Sequence, residues 1–403
     1  MPITLLAQLS LRNIVRHRRR NLMLLMAIAV AVLTVLMANT VIRGMQYDLR
    51  EQTVSNLNGH IKVHAPGYLD DPSIARGFEL AAGWEPKINV SEVEGWAARI
   101  RIPAVIMSER ETRGIQFVGI DPAQESISFL SKAHYDGQPL NTSSDRRIII
   151  GKEMADQLET QVGRRLVIIT QGSDGLNREA GFRIAGVYDT EGTAIEKIFV
   201  FTGVTALQNM VDAIVVTEVS VRLVDDAFQL SMLDSLLRFF ADLEVKTWQQ
   251  LEPLAAAFFL FAESAIYLYF FIIMTALIFG LVNTLVTSVM ERVHELGMLR
   301  AVGMRPGAVV MQVVIESTFI MMIGVALGLT LGWLIFQLLP PVLDLSSFSE
   351  GFEKFGMPAK IHLRLHVSDM VLITVMSMVF GVLASLYPAK RAVKISPLEA
   401  LRL

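Results

Sequence analysis

Residues 291–303 read Glu291-Arg292-Val293-His294-Glu295-Leu296-Gly297-Met298-Leu299-Arg300-Ala301-Val302-Gly303. This charged, helix-favouring segment lies directly between two long apolar runs, 254–289 and 308–339. Each run exceeds the roughly 20 residues that an α-helix needs to cross hydrocarbon. The segment therefore reads as a short loop at a membrane surface, and the chain around it as membrane-spanning.

Two more runs complete the set. Residues 22–41 carry no charge and follow Arg16, His17, Arg18, Arg19 and Arg20. A cleaved signal peptide is the rival reading there, but its apolar region is usually shorter, so a retained anchor is favoured. Residues 370–387 form the fourth run, with Ser368 as a candidate N-cap and Pro388 just past its end. The second run, interrupted only by Glu263, would be about 54 Å long as a helix against a hydrocarbon core of about 30 Å. Part of it should project as a stalk.

Composition agrees with a membrane protein. The 403 residues are 52% hydrophobic, and the mean hydropathy is +0.46, too apolar for an ordinary soluble chain of this size. A net charge of −3 gives no reason to expect nucleic acid. The absence of cysteine excludes disulfides, thiolate metal sites and cysteine nucleophiles.

Short flanks rich in Lys and Arg set the orientation. They are Arg12, Arg16 and Arg18 to Arg20 before the first run, Arg292, Arg300 and Arg305 between the second and third, and Lys390, Arg391, Lys394 and Arg402 after the fourth. All three flanks belong on the cytoplasmic side. The expected fold is an α-helical membrane protein with four transmembrane helices and a large extracytoplasmic α+β domain between helices 1 and 2. The segments are a basic amphipathic cytoplasmic piece at 1–21, helix 1 at 22–44, the α+β domain at 45–253, a stalk with helix 2 at 254–290, a cytoplasmic loop at 291–307, helix 3 at 308–339, an extracytoplasmic loop at 340–367, helix 4 at 368–387 and a cytoplasmic tail at 388–403.

Within the α+β domain, alternating patterns predict strands at 60–64, 115–120, 147–150, 166–170, 182–187, 198–201 and 219–224. Helices are predicted near 92–100, 152–159 and 226–243. In the outer loop, Ile361, Leu363, Leu365 and Val367 alternate with Lys360, His362, Arg364 and His366 as in a half-buried strand that could pair with the domain above it. Covering is favoured there over gating.

Gly324, Gly328 and Gly332 recur every four residues on helix 3, and Ser377, Gly381 and Ser385 do so on helix 4. Such stripes let another helix approach closely, and packing within the chain and a subunit interface both remain open. Glu316 lies about two turns into helix 3. An intramembrane acid is costly unless paired or hydrated, and without partners at other depths a structural or coupling role near the cytoplasmic surface is favoured over a proton relay.

No assembled chemistry appears. His294-Glu295 begins like a zinc-protease motif, but Met298 stands where the second histidine is needed. His60 with His64, and His362 with His366, sit in strand patterns without nearby acidic ligands. Gly151-Lys152 lacks the upstream glycine and following Ser or Thr of a phosphate-binding loop. Neither a catalytic residue nor a metal or cofactor site is expected.

The pattern at 291–303 resembles the cytoplasmic loop of the FtsX/MacB/LolC-LolE (type VII) ABC-transporter permeases. Gly119-Ile120-Asp121-Pro122, Ile150-Gly151-Lys152-Glu153-Met154-Ala155, Tyr387-Pro388-Ala389-Lys390-Arg391-Ala392 and Ile395-Ser396-Pro397-Leu398-Glu399-Ala400-Leu401-Arg402 also resemble this family, most of all its lipoprotein-releasing LolC/LolE branch. The resemblance implies that the α+β domain is a MacB-like periplasmic core with an inserted lobe at about 121–214. It implies a non-catalytic bacterial inner-membrane subunit with both termini cytoplasmic, paired with a second permease copy or a related permease and served by two copies of an ABC ATPase that use ATP and Mg. The ATPase would dock on Glu291, Arg292, Glu295, Leu296, Gly297, Leu299, Arg300, Ala301 and Gly303. The cargo implied is a lipoprotein or other lipid-anchored molecule drawn from among the membrane lipids. MacB-like efflux of peptides or amphiphiles, and FtsX-like signalling to a cell-wall hydrolase, are the alternatives within the family.

Overall fold

A computed structural model of the chain describes residues 18–80, 84–85, 92–190, 194–291, 294–295, 298, 304–344 and 360–394. These form two compact units, one from Met1–Leu49 with Phe258–Leu403 and one from Arg50–Ala257.

The first unit is built on four helices long and apolar enough to cross a membrane. They are α1 (Arg18–Thr53), α6 (Pro253–Glu291), α7 (Pro306–Leu338) and α8 (Val367–Lys394). Helix α1 does not stop at residue 44. It runs to Thr53, because Arg43, Asp48, Arg50 and Glu51 all find partners along it. Helix α8 likewise passes through Pro388 rather than ending before it. A proline inside a helix removes one backbone donor, and membrane helices accommodate that loss through neighbouring groups.

Apolar packing holds the bundle together around Ile28, Val32, Leu36, Met274, Ile320, Met321 and Ile373. A smaller cluster at the other end joins Val289 of α6, Val309 and Val313 of α7, and Ala389 of α8. The two short strands β11 (Val342–Asp344) and β12 (Lys360–His362) pair antiparallel within this unit. The half-buried strand of the outer loop is thus shorter than its alternation, and its partner is β11.

The second unit carries β1 (Ile61–His64), β2 (Val93–Met107), β3 (Thr112–Ile120), β4 (His134–Gly137), β5 (Arg147–Gly151), β6 (Arg165–Gln171), β7 (Asn177–Asp189), β8 (Phe199–Gly203), β9 (Glu218–Leu223) and β10 (Glu244–Thr247). Its helices are α2 (Lys152–Gln157), α3 (Val204–Val211), α4 (Gln229–Phe239) and α5 (Trp248–Leu251). Strand order is β10-β1-β9-β2-β3-β8-β5-β7-β4, and β6 bridges β2 and β7. Strands β2, β3, β8, β5, β7 and β6 therefore close on themselves around Ile102, Ile106, Phe117, Ile148, Ile168 and Val200. The lobe accordingly begins with β2 and β3 and is not confined to 121–214.

All seven predicted strands are present. The helix predicted near 92–100 is not: those residues open the 15-residue strand β2. Strand β9 pairs with its first half, and β3 and β6 with its second. The helix predicted at 226–243 divides into a 3₁₀ turn at Asp226–Phe228, α4, and a turn leading into β10.

Beyond Thr53 the chain leaves the α-helix through a π-turn, Val54–Asn58, in which Leu57 takes a left-handed φ of 65°. Gly59 follows at φ 65°, where a Cβ would stand 2.7 Å from the Val221 carbonyl oxygen. Glycine avoids both the strain and the clash.

Candidate functional site

Near the end of α6 and the start of α7, Val289, Val309 and Val313 pack with Ala389 of α8 in an apolar cluster. Glu291, His294 and Met298 are exposed, and Glu295 is half-buried. Arg292, Leu296, Gly297, Leu299, Arg300, Ala301 and Gly303 lie outside the described residues. Glu316 is buried on α7, on the same face as Gln312, Val313, Ser317 and Ile320. That face continues into the glycine stripe, so the acid is part of the inner side of the bundle.

The stripe receives α1. A Cβ on Gly324 would lie 2.7 Å from Ile28 Cγ2, one on Gly328 would lie 2.7 Å from both the Ala29 carbonyl oxygen and Val32 Cβ, and one on Gly332 would lie 2.6 Å from Leu36 Cδ2. On α8, Ser377 Oγ lies 3.7 Å from Met274 Sδ of α6, a Cβ on Gly381 would meet Met321 Cε of α7 at 2.6 Å, and Ser385 Oγ donates to the Val382 carbonyl at 2.7 Å.

A second charged region went unread in the sequence. On α1, Arg43 donates twice to Asp369 at the start of α8, at 3.2 Å each. Asp48 accepts from the His362 backbone N–H at 2.7 Å, and its other oxygen lies 2.7 Å from His362 Nδ1. The alternation that exposes His362 and Arg364 was visible, but nothing local showed that α1 would supply the partners.

Within the second unit, the end of α1 is tied down by charge. Arg222 donates to Glu51 at 2.8 and 3.0 Å and to Glu94 at 2.8 Å, while Arg50 pairs with Asp226. His60 accepts from the Leu223 N–H at 3.0 Å and lies 3.1 Å from Asp226, which explains its place without a metal. Deeper still, Arg99 grips Glu125 with two bonds of 2.6 and 3.0 Å and donates to the Leu57 carbonyl at 3.0 Å. Lys62 donates to Glu218 at 3.0 Å, and both are fully buried.

Burial pushes the Lys62 ammonium down to about 8, with the Glu218 carboxylate opposing the shift. The unfolded lysine titrates near 10.5, so between pH 8 and 10.5 the unfolded chain binds more protons and stability rises with pH through this group. Below pH 8 the cost of the buried charge is fully present. Thermal unfolding followed from pH 8 to 10 should show wild type gaining stability relative to Lys62→Met. Equal slopes for the two proteins would contradict this assignment.

Comparison with known families decides the class. Residues 22–231 match the family described as MacB-like periplasmic core domain, and residues 267–397 match FtsX-like permease C-terminal. The chain belongs to the FtsX/MacB-like permease family. This FtsX/MacB-like permease is 24% identical over 412 residues to the lipoprotein-releasing system transmembrane protein LolC of Xylella fastidiosa, covering 96% of each chain. It is 25% identical over 418 residues to LolC of Neisseria meningitidis, covering 93% of this chain and 92% of that one. The macrolide export ATP-binding/permease protein MacB of Escherichia coli is 34% identical over 122 residues, which is 30% of this chain and 16% of MacB. Among solved structures, the periplasmic region of MacB from Actinobacillus actinomycetemcomitans aligns over 50% of this chain and 94% of its own, with 10% identity and a TM-score of 0.35. The permease is thus an ABC-transporter permease of the LolC/MacB type.

Proposed function

We propose that this permease is the transmembrane subunit of an ABC transporter whose ATPase is a separate chain, and that it extracts lipoproteins or other lipid-anchored cargo from the bacterial inner membrane. The observation that carries the reading is the likeness to LolC, which extends over 96% of both chains, whereas the likeness to MacB spans 16% of that protein. Two permeases, either copies of this chain or this chain with a relative, would be served by two ATPases that use ATP and Mg. Both termini and the 291–307 loop face the cytoplasm in this reading, because the Lys and Arg flanks gather there.

The ATPase would dock on 291–303, and α6 would carry the movement outward. At 39 residues α6 is about 58 Å long, well beyond the bilayer's hydrocarbon thickness of about 30 Å. A continuous helix can transmit displacement along its axis.

Affinity purification from native membranes followed by mass spectrometry tests the reading. An ATPase together with lipoproteins is the expected result, and Glu295→Lys or Arg300→Ala should lower recovery of the ATPase roughly tenfold. A cell-wall hydrolase in place of lipoproteins would favour the signalling alternative, and recovery of no ATPase would overturn the reading.

A further inference from the structure

The outer end of α1 and residues 360–369 meet through contacts unlike those deeper in the bundle. Where α1 crosses the glycines of α7 the contact is apolar and close. At the outer end it is polar. Asp48 holds His362 through backbone and ring, and Arg43 holds Asp369. The Arg364 N–H donates to the Thr40 carbonyl at 3.3 Å, and its guanidinium lies 3.8 Å over the Tyr47 ring. Gln46, bonded to Arg43 at 3.3 Å, donates to the Phe259 carbonyl of α6 at 3.2 Å, so the same stretch of α1 touches three elements.

We propose that residues 360–369 form a latch that holds the outer ends of α1 and α8 together and must release during the transport cycle. The inference rests on the permease reading above. Three features support release over a permanent joint. The cationic partners are reachable by water, with the His362 and Arg43 side chains 51% and 25% exposed, and ion pairs in that setting add little net stability because water solvates the separated groups nearly as well. Asp48 and Asp369, by contrast, are 9% and 6% exposed, so opening returns two dehydrated carboxylates to water and offsets the lost pairs. Finally, Gly44 lets the strap lie directly on the helix backbone, since any Cβ there would collide with the His362 carbonyl. The apolar part of the hold is Ile361 and Leu363, buried beneath the strap, and Leu365, half-buried against the bundle core.

The absence of native cysteine makes the test clean. Asp48→Cys/His362→Cys would be oxidised in the assembled transporter, and ATP-driven cargo release measured before and after reduction. The latch requires at least a tenfold loss on oxidation that dithiothreitol restores, which separates locking from misfolding. Full release by the oxidised protein would overturn the latch while leaving the permease reading intact. A second measurement does not depend on cargo. Ile361→Cys, buried beneath the strap, should react with a membrane-impermeant maleimide several-fold faster during ATP turnover than at rest, and adding Gly44→Val should make it fast in both conditions. Unchanged labelling in the presence of an ATPase that hydrolyses ATP overturns the proposal, whereas failure to recover any ATPase would sink the permease reading first and the latch with it.

Discussion

Arg99→Met is expected to destabilise the α+β unit by about 3–5 kcal/mol, the usual consequence of leaving one member of a buried pair without the other. Arg99 is completely buried and Glu125 is 5% exposed. Removing the guanidinium strands the carboxylate in a region where water cannot replace two bonds of 2.6 and 3.0 Å. Among the described residues it also removes one of two donors to the Leu57 carbonyl, the other being Ser220 Oγ at 2.8 Å. Leu57 occupies a left-handed backbone conformation that leucine seldom adopts, so the turn leading out of α1 loses part of what holds it.

A loss of that size is a large part of the roughly 5–15 kcal/mol that keeps a domain folded, and for a unit of this size it corresponds to a fall of about 10 °C or more in melting temperature. Thermal unfolding and trypsin resistance in detergent would measure it. The double variant Arg99→Met/Glu125→Gln should recover much of the loss, because no unpaired charge remains. Arg99→Lys should not, since an ammonium cannot make the paired contact to a carboxylate. If the single and double variants were equally unstable, the pair would not be the source of the effect.

Gly328→Leu is expected to prevent α1 from docking on α7. Even alanine at this position meets the Ala29 carbonyl oxygen and Val32 Cβ, both at 2.7 Å. Neither atom can rotate away, because one belongs to the backbone and the other is fixed to it. Gly332 differs, since its nearest neighbour is the far end of Leu36, a methyl that another rotamer can move. Overpacking typically costs about 1–3 kcal/mol, and a leucine side chain in a helix contact with no free space should exceed that.

The expected order of damage among alanine variants is Gly328 greater than Gly324, and Gly324 greater than Gly332. Gly280→Ala serves as a neutral control, because nothing lies within 4 Å of its added Cβ. Melting temperature in detergent and yield of folded protein would rank them. A flat ranking would mean that α1 does not lie against this stripe.

How much of this was legible in the residues varies with the kind of interaction. The four helices long and apolar enough to cross a membrane could be read directly, because an uninterrupted apolar run of sufficient length is a local property of the chain. The seven strands found in advance likewise carry their own alternation. Residues 92–100 were misread as a helix for a reason visible in them: Glu92, Glu94, Ala97, Ala98 and Arg99 are good or tolerable helix residues. They become part of β2 because β9 lies alongside them and β3 continues the sheet, and tertiary pairing outweighs weak local preference.

The charged residues divide in the same way. Glu291 and Glu295 interrupt two apolar runs, and the structure leaves the first exposed and the second half-buried, as charges beside apolar helices require. Arg99, Lys62, Asp48 and His362 announced nothing, since each has its partner far along the chain, at Glu125, Glu218, His362 and Asp48. By itself the sequence determined the four helices long and apolar enough to cross a membrane and the large polar insertion between the first two, both of which follow from how runs of residues partition between lipid and water. The tertiary structure alone decided which helix fills the glycine stripe, which buried charges neutralise one another and what the 360–369 strap rests upon, because a long-range partner is set by the closure of the whole fold and leaves no mark on its neighbours in sequence.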